Sequence, residues 1–146
     1  MKKILMTLML VLAFGAFSAN ADKFVHDGSV LPAGAQAVLK QNFRSDVSVV
    51  KVEKDFGKVS EYDVVLTDGT EVTFDAKGNW KDVEVAPYSN VPAGFILRPI
   101  RNFLDENYNG MPVVGIEKDA KNIEVTLASG VEIKFDKAGR FLKYED

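Results

Sequence analysis

The chain has 146 residues, 47% of them hydrophobic, with 18 basic and 21 acidic side chains for a net charge of -3. This mild acidity argues against nucleic acid or an anionic membrane as the main partner. The absence of any cysteine excludes disulfides, thiol catalysis and thiolate metal sites, so stability has to come from a packed core, which a chain of this size can form.

The chain opens with Lys2 and Lys3, an almost wholly apolar run over residues 4–17, and then Ala19, Asn20 and Ala21 in a small-x-small arrangement. That is the pattern of a secretory signal peptide cleaved after Ala21, and the apolar run is short for a membrane span. No cysteine follows it, which excludes a bacterial lipoprotein anchor. The expectation is a periplasmic or secreted product with no membrane insertion after cleavage. Loss of the two lysines leaves 16 basic against 21 acidic residues, a net charge of -5.

Residues 22–29 read as a polar lead-in that holds the only histidine, His26. Pro32 suits the start of a helix, where its missing N–H costs nothing, and Ala35, Val38, Leu39 and Phe43 then fall on one helical stripe, predicting a helix over residues 32–43. Residues 47–53, 61–66, 70–75 and 80–85 alternate apolar with polar side chains and read as four strands. Asp68 and Gly69 mark a tight hairpin between the second and third, residues 75–79 a longer one between the third and fourth, and Phe56, Gly57 and Lys58 the loosest connection.

Residues 87–90 resemble a linker, and the order then repeats: a helix ending near Leu104, then strands near 113–117, 123–127, 131–136 and 140–144. Leu31, Pro32, Ala33 and Gly34 return as Val91, Pro92, Ala93 and Gly94. Val50, Lys51, Val52 and Glu53 return as Val114, Gly115, Ile116 and Glu117, and Gly69, Glu71, Phe74 and Asp75 as Gly130, Glu132, Phe135 and Asp136. A repeat of this length sets the architecture. The expected fold class is α+β, two tandem α-β-β-β-β repeats, with antiparallel sheet and one helix per repeat packed on one face. Pro99 should kink the second helix or delay its start. The expected organisation is a signal peptide at 1–21, repeat one with its lead-in at 22–86 and repeat two at 87–146, the repeats together forming one structural domain because each alone is marginal. Tyr62, Val64, Leu66, Val72 and Phe74, with Ile123, Val125, Leu127, Ile133 and Phe135, form the expected core, leaving the opposite sheet face to solvent or a partner.

The series Leu31, Pro32, Ala35, Phe43, Val50, Val52, Glu53, Tyr62, Val64, Leu66, Asp68, Gly69, Glu71, Val72, Phe74, Asp75, Gly78 and Trp80 resembles the PepSY-like, β-lactamase-inhibitor-like family of exported bacterial proteins. The resemblance covers nearly all of the chain beyond residue 21. It implies the tandem fold, a periplasmic or secreted location and, by analogy of fold, a protein-binding role. The family carries no catalytic residues to transfer.

The residues themselves give no catalytic, cofactor or metal site. His26 lacks a Gly-x-Ser-x-Gly partner motif. Asp68, Asp75 and Asp136 precede hairpin glycines and read as turn formers. The stretch 75–79 lacks the spaced carboxylates and closing glutamate of a calcium loop. In the last strand of each repeat the alternation breaks: Val83 and Val85 are out of phase with Trp80, and Leu142 and Tyr144 with Phe141. Either both faces are apolar there or a bulge resets the phase. Aromatic anchors favour protein interfaces, so Trp80, Tyr88, Phe141 and Tyr144 are the candidate protein-binding residues. The expected function is a non-enzymatic exported protein-binding module, an inhibitor or modulator of another extracytoplasmic protein. The alternative is a small-ligand or ion-binding periplasmic protein.

Overall fold

The computed structural model describes residues 22–145. The expected signal peptide, residues 1–21, lies outside them. The described residues form nine strands and two α-helices, an α+β fold in two compact units, one up to Trp80 and one from Lys81 onward.

The first unit runs β1 (Lys23–Val25), a 3-10 turn (Gly28–Val30), α1 (Ala33–Asn42), β2 (Val47–Asp55), β3 (Lys58–Leu66) and β4 (Glu71–Asp75). Each strand pairs antiparallel with the next. Rows of opposed residues settle the two faces. Val50, Val64 and Val72 form one row and Val52, Tyr62 and Phe74 another, all buried. Lys51, Asp63 and Thr73 form a row on the other side, since neighbours along a strand alternate. Ala35 and Leu39 are the buried residues of α1.

β5 (Trp80–Glu84) leads into the second unit, which continues with a 3-10 turn (Ala93–Phe95), α2 (Arg98–Asn107), β6 (Val113–Lys118), β7 (Asn122–Leu127), β8 (Glu132–Asp136) and β9 (Phe141–Glu145). From β5 to β9 each strand again pairs antiparallel with its successor. Ile116, Val125 and Ile133 form the central buried row. The helix lies on this face: Phe103 of α2 meets Phe135 of β8 edge-on, with ring centroids 5.4 Å apart. Both sets of expected core residues are buried.

Several expectations are corrected. The polar lead-in, for which the sequence predicts no strand, contains one: Lys23, Phe24 and Val25 pair with Val52, Lys51 and Val50. The connection through Phe56 and Gly57 is tight rather than slack, because Asp55 pairs directly with Lys58 and both turn residues take positive φ, 51° and 79°, as a type I′ hairpin requires. The Pro92 motif does not begin the second helix. Pro92 caps the 3-10 turn that Ala93 and Gly94 form with Phe95, and α2 starts at Arg98 with Pro99 in its first turn, so Pro99 delays the helix rather than kinking it. The helices therefore correspond through Ala35 with Ile100 and Leu39 with Leu104, each pair buried. In the strands a bulge falls at Val47/Val49 in one unit and at Val113/Gly115 in the other, so Val50 matches Ile116 and not Val114.

Both units lock the start of the helix onto the last hairpin. A Cβ added to Gly78 would lie 2.9 Å from the Cβ of Pro32 and 3.3 Å from Ala35 N, and one added to Gly139 would lie 3.2 Å from the Cβ of Pro99. Both glycines have φ near +90°, so the position needs glycine for conformation and for space.

Candidate functional site

The four candidate aromatics are not gathered into one patch. Trp80 is half-buried at the start of β5. Tyr88 is fully exposed, at 107%, with φ +66°. Ser89 N donates to Ala86 O at 3.0 Å, which makes Pro87 and Tyr88 the central residues of a type II turn whose second position normally takes glycine. Phe141 and Tyr144 do come together, 5.2 Å between ring centroids. The phase conflict in β9 is resolved by a bulge: Lys134 pairs with Lys143 and Phe135 with Phe141, leaving Leu142 as the extra residue. Phe141 and Tyr144 consequently share the helix side. Phe141 stacks on Phe103 at 5.0 Å, and Tyr144 is hydrogen-bonded to Tyr108 just beyond α2. Along β9, Phe141, Leu142 and Tyr144 nonetheless stay exposed.

Phe56 was not among the candidates from sequence. It stands at the tip of the β2–β3 hairpin, 106% exposed at φ +51°. The signal for it was an aromatic next to glycine between two alternating strands, which reads as a loose connection until the cross-strand register is known.

The sheet side away from α1 in the first unit was expected to be open, but much of it is buried: Lys51, Asp63, Glu71 and Thr73 are all 9% exposed or less. Phe24 of β1 packs against Val49 and Val65. Lys51 Nζ bonds Glu53 Oε1 at 2.5 Å and lies 3.5 Å from Asp22 Oδ2. Thr73 Oγ1 donates to Asp63 Oδ1 at 3.0 Å. Carboxylate oxygens of Glu53, Glu61 and Asp63 lie within 4.8 Å of one another. Burial, then the negative charges of Glu53 and Glu61, push the Asp63 carboxyl up to about 7. Burial opposes the Lys51 charge, but Glu53, Asp22 and Asp63 outweigh it and hold the ammonium above its ordinary range.

The other carboxylates shape turns, as the sequence suggested. Asp75 Oδ1 accepts from Lys77 N and Asn79 N, each at 2.9 Å, and Asp136 Oδ1 accepts from Ala138 N and Arg140 N at 2.9 Å. Burial works against the Asp75 charge, but the hydrogen bonds from Asn79 and Lys77 prevail and keep its carboxyl below the usual range. Asp68 Oδ1 accepts from Thr70 N at 2.8 Å. His26 is exposed, with Nδ1 3.2 Å from Ser48 O.

A family model described provisionally as beta-lactamase-inhibitor-like and PepSY-like matches residues 60–143. Among solved structures, a Bacteroides vulgatus protein, provisionally named as periplasmic and of unknown function, is 37% identical, with a TM-score of 0.80 over 86% of this chain and 99% of that one. A Bacteroides thetaiotaomicron protein, provisionally named a calcium-regulated periplasmic protein, is 35% identical, with a TM-score of 0.77 over 86% of this chain and 97% of that one. A second provisionally periplasmic protein of Bacteroides vulgatus is 33% identical, with a TM-score of 0.78 over 88% and 100%. No curated protein matches the chain.

Proposed function

We propose that this chain, which belongs to the beta-lactamase-inhibitor-like, PepSY-like family, is a non-enzymatic exported module that binds another extracytoplasmic protein. One observation carries the reading: each unit holds an aromatic ring wholly in water on a left-handed backbone, Phe56 in the first and Tyr88 in the second. Exposure wastes the hydrophobic gain of a large ring, and positive φ strains any side chain with a Cβ. A residue that harms folding in both ways points to use outside the fold, and buried aromatic anchors are what protein interfaces draw on most. The exposed apolar residues of β9 support the same reading, as does the periplasmic naming of the relatives.

The test is capture from periplasmic extract by immobilised protein comprising residues 22–146, with Phe56→Asn and Tyr88→Asn as controls. The expected result is a partner retained by the wild type and lost from at least one variant. Retention of nothing, or equal retention by all three, contradicts the reading.

The calcium-regulated name of one relative draws notice to Glu53, Glu61 and Asp63. Here Lys51 Nζ, bonded to Glu53, already supplies a cation to this cluster, which supports an internal charge layer. Calcium added to the protein should leave its thermal midpoint unchanged. A saturable rise that Asp63→Asn abolishes would show that calcium binds there.

A further inference from the structure

The first unit has a cleft of about 560 Å³ between its 3-10 turn, α1 and the start of β2. That volume lies in the range of small-ligand sites. Its floor is apolar, with Leu31 3% and Leu39 8% exposed. Its two ends differ in charge. At one end Asp27 is fixed by Ser29 N and Ser29 Oγ, each at 2.9 Å, and Gln36 Nε2 donates to Leu31 O at 2.8 Å, which leaves the Gln36 carbonyl oxygen free to accept. At the other end Lys40, in the last turn of α1, and Arg44, just past the extended residue Phe43 that ends the helix, line the cleft, and their charged groups have no hydrogen bond or ion pair among the described residues. Gln36 precedes Lys40 by one helical turn, a rise of roughly 6 Å at 1.5 Å per residue, and Arg44 lies beyond the end of the helix.

From this arrangement we propose that the cleft binds a short peptide of two or three residues with both termini free. Its ammonium group meets Asp27 and the Gln36 carbonyl, its carboxylate meets Lys40 and Arg44, and its apolar side chains lie over Leu31 and Leu39. Two or three extended residues span roughly 7–11 Å, enough to reach from Gln36 past the level of Lys40. Asp46, which also lines the cleft, disfavours a ligand that carries only negative charge. This site is independent of the exposed aromatics, since it uses neither Phe56 nor Tyr88.

Calorimetry with tri-leucine as the probe tests the proposal, alongside its N-acetylated and C-amidated forms. Saturable binding is expected, weakened about tenfold by either block, as loss of one charge-assisted contact gives. Lys40→Gln combined with Arg44→Gln should weaken the free acid but leave the amide unchanged, a pattern that simple loss of fold cannot produce. Ala37→Trp, at an exposed helix position on the cleft wall, should abolish binding without lowering the unfolding temperature. No saturable heat, equal affinity for all three peptides, or full binding by Ala37→Trp would overturn the proposal.

Discussion

Asp63 shows most clearly how a single residue links structure to a measurable property. The residue is 2% exposed, and its carboxyl, which faces Glu53, Glu61, Lys51 and Thr73, is raised from 3.8 to about 7. In the folded chain it therefore holds its proton through a pH range where the unfolded chain has released it. By linkage, the stabilising contribution is complete at acid pH and is lost as pH rises from about 4 through 7. The protein should lose on the order of 3 kcal/mol of unfolding free energy from this group between pH 4 and pH 8. Asp63→Asn should flatten that slope and be the more stable protein at pH 8. Urea unfolding across this range measures both, and a wild type whose stability rises with pH while the variant follows it would refute the assignment. Alternation placed Thr73 on the face away from the helices, but nothing in the sequence could show that Lys51 and Asp63 on the same face are buried.

At the scale of elements, the two hairpin glycines fix where each helix begins. Gly78 and Gly69 both have φ +92°, but a Cβ at Gly78 meets Pro32 at 2.9 Å while one at Gly69 has nothing within 4 Å. Gly69→Ala should cost about 1 kcal/mol, the left-handed strain alone. Gly78→Ala should cost roughly 2–3 kcal/mol, because the helix start has to move as well. Denaturant midpoints of the two variants separate these terms, and equal losses would mean that helix and hairpin are not locked together.

The strands were legible because alternation and Asp–Gly turns are local signals. What was missed depends on pairing across distance. A three-residue strand such as β1 is too short to alternate visibly. The bulge at Leu142 could be posed but not chosen until Lys134 was seen opposite Lys143. The turn at Phe56 was misread because phenylalanine seldom takes positive φ. The two Pro-Ala-Gly stretches matched in letters, but Ala33 and Gly34 open the first helix while Ala93 and Gly94 form a 3-10 turn of their own ahead of the second.

At the scale of the whole molecule, two units of like design each keep a core rich in Val, Leu and Phe under one helix, and each leaves one ring in water on a strained backbone. Among the described residues no helix is long and apolar enough to cross a membrane. If docking explains the two rings, folding and binding must pull in opposite directions at these positions. Phe56→Asn creates Asn–Gly in a type I′ turn, the pairing that turn favours, and should raise unfolding free energy by about 0.5–1 kcal/mol. Tyr88→Asn should act in the same sense in its type II turn. The most direct test is one paired measurement on the double variant: unfolding free energy by urea titration, and affinity for the captured partner by calorimetry. The account predicts a more stable protein that binds at least tenfold more weakly. A double variant that is no more stable than the wild type and binds the partner with undiminished affinity would contradict it.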